Sequence, residues 1–193
     1  MAYLNEVNAA TVAEWLANFG NCPNNIYNPF QDNEISFTKR AYNALSGNNT
    51  NHINIYFGLD ESLNQKMIAV GAYTLDQFDG EETDGFVDIL NPEGIYELYS
   101  NTVITLSQAR AYINKWESEN KGSNLFKVSF LLPRPNFIKL FVEDQADVVR
   151  IFFGMDNANA LKVMQTNPSA GSGAIVLNRS FPCPAMCPKE GIK

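Results

Sequence analysis

Three cysteines and a single histidine are the residues of this chain best suited to hold a metal: Cys22, His52, Cys183 and Cys187. A Cys3His set is an established structural zinc shell, because three thiolates and a neutral imidazole can close a tetrahedron. The pattern here speaks against it. The four residues are scattered, the paired cysteines have an uncommon spacing, and each cysteine is followed by a proline that restricts the backbone. Reduced surface thiols are the preferred reading, and a Cys183–Cys187 disulfide would require an oxidising environment. His52 is also the sole imidazole available as a base for a cysteine nucleophile. It follows the polar run Gly47-Asn48-Asn49-Thr50-Asn51, with nothing to mark a carboxylate that orients it, so an exposed loop histidine is expected.

The carboxylates are no more specific. Asp76, Asp79, Glu81, Glu82, Asp84 and Asp88 cluster around Gly80 and Gly85. A calcium loop of EF-hand type needs glycine at its sixth position and glutamate at its twelfth; counted from Asp79, those places hold Asp84 and Leu90. A solvated acidic loop is expected instead. Gly171-Ser172-Gly173 lacks the Lys-Ser/Thr of a phosphate-binding loop. No catalytic residue, metal or cofactor is therefore assigned, and an enzyme is the least favoured class.

The elements that position these residues are clearer. Thr11 and Glu14 have capping-box spacing, Val12, Trp15, Leu16 and Phe19 follow on one helical face, and Gly20 is placed to end that helix. Ser36 is a plausible cap for a second helix from Phe37 to Leu45. Ile53, Ile55 and Phe57 alternate with Asn54 and Tyr56, the mark of a half-buried strand, and Lys66 to Thr74 reads as its return. Short strands are expected at Phe86–Leu90 and Ile95–Tyr99, with a turn at Asn91-Pro92-Glu93-Gly94.

The pattern then recurs. Thr105 and Gln108 form a second capping box, and Leu106, Ala109, Ile113 and Trp116 line its helix. A strand from Lys127 to Leu132 leads through Pro133-Arg134-Pro135 into a short helix. Val149-Arg150-Ile151-Phe152-Phe153-Gly154-Met155-Asp156 then aligns without a gap on Ile53-Asn54-Ile55-Tyr56-Phe57-Gly58-Leu59-Asp60, with Leu161 to Gln165 as the return. Agreement in order, spacing and turn chemistry points to an internal duplication. The expected units are residues 1–75 and 103–170, joined by an acidic segment at 76–102 and followed by an irregular Cys/Pro tail at 171–193. Tyr56 and Phe152 hold matching places on the strand face opposite the core set. They are the candidates for a partner surface, with a second covered layer as the alternative.

The second half resembles an uncharacterised family of small proteins common in Bacteroidetes. The likeness rests on Ile104-Thr105-Leu106 at the helix start, on the aromatic strand ending Gly154-Met155-Asp156, and on the Cys-Pro-x-x-Cys-type tail at Cys183-Pro184-Ala185-Met186-Cys187. It implies no activity.

The 193 residues are 45% apolar and 12% aromatic, enough to fill a core. A net charge of −7 with no Lys/Arg stripe disfavours nucleic acid. No apolar run approaches the roughly 20 residues of a membrane helix, and the first residues lack the pattern of a signal peptide, so a cytoplasmic protein is expected. The expected fold is α+β, with antiparallel sheets, helices packed on one face and two pseudo-symmetric halves. The expected function is a non-enzymatic interaction or self-assembling protein, whose partner is itself or another protein. The alternative is a small-ligand or peptide binder using a groove between the halves.

Overall fold

The computed structural model describes residues 6–31, 35–47, 50–74, 86–90, 94–178, 181–183, 188–190 and 192. The acidic stretch from Asp76 to Asp84, the turn residues Asn91 to Glu93, and Cys187 lie outside them. A two-residue strand β1 (Glu6–Val7) leads into helix α1 (Ala9–Asn21). The α1 cap is Asn8, whose side chain accepts from the Thr11 N–H at 2.9 Å, and not the expected Thr11–Glu14 pair. Asparagine caps as well as threonine does, and Glu14 accepts instead from Asn157 at 2.6 Å. Gly20 does not end α1 either; the helix runs to Asn21, and Cys22 follows in extended backbone.

After the short helix α2 (Asn28–Gln31), strand β2 (Ile35–Thr38) takes Ser36 and Phe37 away from the expected second helix. Ile35 and Phe37 alternate into the core, and Thr38 caps α3 (Lys39–Leu45) by accepting from the Ala41 N–H. The first hairpin is β3 (His52–Leu59) with β4 (Gln65–Thr74), followed by β5 (Phe86–Asp88), β6 (Ile95–Glu97) and β7 (Thr102–Val103). Helix α4 (Leu106–Asn120) carries the full Thr105–Gln108 capping box. Strand β8 (Ser129–Pro133) runs into α5 (Arg134–Ile138), which continues as a π-helical turn at Lys139–Glu143. The second hairpin is β9 (Val148–Met155) with β10 (Leu161–Thr166). The segment expected as an irregular tail instead supplies β11 (Val176–Leu177), β12 (Phe181–Cys183) and β13 (Pro188–Glu190).

These elements form an α+β fold with two sheets. The first has the order β1-β11-β10-β9-β2. The second has the order β12-β8-β3-β4-β5-β13, with β6 on β4 and β7 on β6. All pairings are antiparallel except that of β13 with β5. The stretches 1–75 and 103–170 are continuous in sequence but do not close separate sheets. Strand β2, from the first, pairs with β9, setting Phe37 against Val149 and Ile35 against Ile151. Strand β8, from the second, pairs with β3, setting Leu132 against Ile53 and Phe130 against Ile55. The long helices cross over in the same way, α1 onto β9 and α4 onto β3.

Two glycines permit those helix contacts. A Cβ at Gly154 would lie 2.8 Å from the Trp15 Cβ, and one at Gly58 would lie 2.9 Å from the Tyr112 Cβ. A residue without a side chain is needed where a helix backbone comes so near a strand. Beside each contact a lysine of the return strand reaches over the helix aromatic, Lys66 over Tyr112 at 5.8 Å and Lys162 over Trp15 at 5.6 Å. The same lysines pair with the hairpin-turn aspartates Asp60 (3.6 Å) and Asp156 (2.8 Å). Each aspartate accepts from two backbone N–H groups of its own turn, those of Ser62 and Asn64, or of Ala158 and Ala160.

The inner faces of both sheets share one core, joined by α3 and α5. Phe57 and Phe153, at matching places of the two hairpins, meet there with ring centroids 5.7 Å apart. A smaller core lies outside the second sheet, where Ala109 and Ile113 of α4 cover Tyr56, Ile68, Val70 and Ile95. The helices are thus not gathered on one face: α1 and α4 lie outside different sheets, and the short helices border the shared core.

One buried residue contradicts the chemistry around it. Gln165 of β10 is fully buried, and neither atom of its amide has a hydrogen-bond partner among the described residues. Gln165→Leu is expected to raise stability by about 1–2 kcal/mol, since it removes an unpaired polar group and keeps the volume. Urea denaturation reads this directly, and a loss of stability would show that the amide holds a buried water.

Candidate functional site

The polar residues of β3 point away from the shared core and into the smaller one. Direct cross-strand partners in an antiparallel sheet share a face. Asn54 and Tyr56 are therefore on the face of Ser129, which pairs with Tyr56, and of Asp88, which pairs with Ala72. Asp88 is the centre of the group. It accepts from the Tyr56 hydroxyl, from the Asn54 Nδ2 at 3.0 Å and from the Ile192 N–H at 3.1 Å. The Arg110 Nε of α4 donates to the Ile192 carbonyl at 2.8 Å, so the end of the chain is held on both sides. Burial pushes the Asp88 carboxyl up to about 6, even though its three donors favour the charged form. Burial and the Asp88 charge raise the Tyr56 hydroxyl well above its ordinary range.

The group has the pieces of an acid–base site but no access. Asn54 and Tyr56 are fully buried, and Asp88 and Ser129 are 4% and 1% exposed. Its chemistry is that of a clasp: one carboxylate gathers two side-chain donors and a backbone N–H from the chain terminus. The sequence places Asp88 in the exposed acidic loop; the structure corrects that, because β5 pairs with β4 and carries the side chain inward. The available signal was a lone carboxylate within the apolar run Phe86-Val87-Asp88-Ile89-Leu90.

The terminal strands close this side of the second sheet. Strand β12 joins the β8 edge and β13 joins β5 at the opposite edge. A flat sheet would hold those edges roughly 24 Å apart, whereas five residue steps from Cys183 to Pro188 reach about 18 Å. The sheet is therefore curled around the smaller core, where the Ile192 side chain is fully buried.

The metal candidates that lie within the described residues are not gathered. His52 begins β3 as a buried residue, not an exposed loop histidine, and its Nδ1 lies 2.7 Å from the Asn51 Oδ1. Cys22 is half-buried after α1, with its Sγ 3.7 Å from the Pro23 carbonyl. His52 pairs with Pro133 while Cys183 pairs with Ser129. That register puts their backbones roughly 16 Å apart, too far for one tetrahedral zinc. Among the described residues no three His, Cys, Asp or Glu residues form a metal-binding group.

The two interaction candidates part company. Tyr56 is fully buried under α4 and bonded to Asp88, so it is corrected to a core residue. Phe152, at the same step of β9, is only half-buried, with the Arg150 guanidinium 5.8 Å from its ring centroid. The contrast extends over both outer faces. On the second sheet His52, Asn54, Tyr56, Ile95, Ala109 and Ile113 are all buried. At the corresponding places of the first sheet and α1, none of Val148, Arg150, Phe152, Val176, Val12 and Leu16 is buried, while Met164, which pairs with Phe152 on that face, is buried as its counterpart Ile68 is. In comparisons with known proteins, no family model, no curated protein and no solved structure matches the chain.

Proposed function

We propose that this is a non-enzymatic protein-interaction protein whose contact surface is the outer face of the β9–β10 hairpin around Phe152. The reading is carried by one observation: Val148, Arg150 and Phe152 of β9 stay at least partly open, although Met164 beside Phe152 is buried, where His52, Asn54 and Tyr56 of β3 are all sealed. Partly open apolar surface is more typical of a contact site than of a packing defect. The burial of the acid–base group and the Phe57–Phe153 contact between the hairpins speak against a small substrate at either of those two places.

An internal duplication accounts for the contrast. Two copies of a strand–helix–strand–helix–hairpin unit exchanged their leading segments, and one outer face later acquired β5 and the terminal strands as a cover. The matched glycines, turn aspartates, lysines and cross-paired strands support this origin. No helix among the described residues is long and apolar enough to cross a membrane.

The test is Phe152→Glu. A contact residue outside both cores is expected to lower stability by less than about 1 kcal/mol. Thermal unfolding reads that, and light scattering from micromolar to millimolar chain reads association. Mass that grows with concentration and is lost in the variant identifies self-assembly through this face. A stability loss of several kcal/mol would place Phe152 in the fold and end the reading.

A further inference from the structure

The end of the chain is held in a seat that the rest of the fold builds without it. Asp88 lies on β5, where Tyr56 and Asn54 of β3 both donate to its carboxylate. Arg110 comes from α4, whose Ala109 and Ile113 are fully buried in the smaller core. Ile192 enters this frame. Its N–H donates to Asp88 at 3.1 Å, its carbonyl accepts from the Arg110 Nε at 2.8 Å, and its side chain is fully buried. A carboxylate and a guanidinium thus grip both polar groups of one peptide residue around an aliphatic anchor. With Ile192 withdrawn, Asp88 keeps its two side-chain donors, so the carboxylate stays in place.

The strap that delivers Ile192 is less firmly built. Strand β13 has three residues, pairs with β5 in parallel, and shifts register between Pro188 and Glu190. Parallel pairing is slightly weaker per residue than antiparallel. The strap also begins only five residue steps after β12, which lies on the opposite edge of the same sheet. A strap from the same chain has to cross that span; a strap from another chain does not. The contacts at the seat are the same in either case, and exchange of an identical element is a low-cost route to a dimer.

We propose that the seat at Asp88 and Arg110 accepts the terminal strap of a second copy of this chain, with β13 along β5 and Ile192 in the smaller core, so that two copies join by strand exchange. An unrelated segment would have to reproduce this anchor and register, whereas the chain's own terminus already fits them. The seat lies on the second sheet and does not involve the β9–β10 face. In intact chains the strap of the same molecule competes at an effective concentration on the order of millimolar, so exchange is latent below that range and emerges when the internal strap is weakened.

The test is complementation between two full-length variants. Ile192→Asp spoils the strap and leaves the seat, and Arg110→Glu spoils the seat and leaves the strap. Each is followed alone and in equimolar mixture by sedimentation equilibrium, with thermal unfolding to check that each variant folds cooperatively. The mixture is expected to form a complex of one chain of each kind with a Kd on the order of 100 µM, about tenfold or more tighter than either variant with itself. Adding Ile192→Asp to the Arg110→Glu chain is expected to abolish it. The uncharged pair Ile192→Ala and Arg110→Ala repeats the test where a charged replacement unfolds the chain, and its mixture is again expected to be heavier than its parts. No complex up to about 1 mM, a complex that survives the added Ile192→Asp, or self-association of either variant as strong as the mixture would each overturn the proposal. Phe152→Glu in both chains is expected to leave the complex unchanged. Its loss there would assign the association to the β9–β10 face and overturn strand exchange, so the two readings fail separately.

Discussion

Phe57→Ala is expected to lower the unfolding free energy by about 3–5 kcal/mol, the range for deleting a fully buried aromatic ring. Phe57 is 1% exposed and sits where the two sheets, α2 and α4 converge. Its ring lies 4.9 Å from that of Tyr27, 5.0 Å from Phe30, 5.5 Å from Trp116 and 5.7 Å from Phe153. These neighbours belong to different elements, so the void cannot collapse by the movement of one side chain. Urea denaturation monitored by tryptophan fluorescence measures the loss, since Trp116 is itself a neighbour. Phe152→Ala, one residue from Phe153 but on the outer face, serves as the matched control and should cost far less. A Phe57→Ala loss below about 1 kcal/mol would mean that the two sheets do not share a core.

The second large effect is a pH dependence from Asp88. Its carboxyl titrates near 6 in the folded chain, against 3.8 for an ordinary aspartate, because burial penalises the charge. The folded state therefore binds the proton more tightly than the unfolded state does. Between about pH 4 and pH 6 the folded chain holds more protons, so stability falls as pH rises through that window and levels off above it. The integrated change is about 3 kcal/mol at most, from the conversion of pKa differences into free energy. The sign is opposite to that of a salt-bridged carboxylate. Asp60, held low chiefly by its bond from Asn64, loses its contribution only as pH falls below the ordinary carboxylate range.

Asp88→Asn should abolish the slope. The replacement amide still accepts through its oxygen, and its nitrogen can donate to the Asn54 Oδ1, which has no partner among the described residues, once that amide turns over. Thermal unfolding of the chain and of the variant at half-unit steps from pH 4 to pH 7 gives the difference curve. Parallel curves would show that Asp88 keeps its ordinary pKa and that the clasp is not closed in solution.

Local order was legible wherever the deciding contacts lie within a few residues. The β3 and β9 alternations, the Thr105–Gln108 cap and the Pro133–Pro135 helix start all hold, because each depends on backbone geometry over one or two turns. The Asn8 cap was missed in favour of Thr11 because both satisfy the same local rule three residues apart. Phe37 was assigned to a helix because its strand has meaning only beside β9, more than a hundred residues on.

Alternation alone established that Tyr56 and Phe152 face away from the residues that fill the shared core, and composition established that such a core could be filled. Neither could say what lies across the other face. A period of two distinguishes the sides of a strand but carries no information about the element that will cover each. That depended on distant pairings: β5 carrying Asp88 inward, the terminal strands bringing Ile192 over β3, and no equivalent over Phe152 among the described residues. Burial is a property of the assembled layers, so similar local alternations ended as a sealed clasp on one sheet and a partly open face on the other.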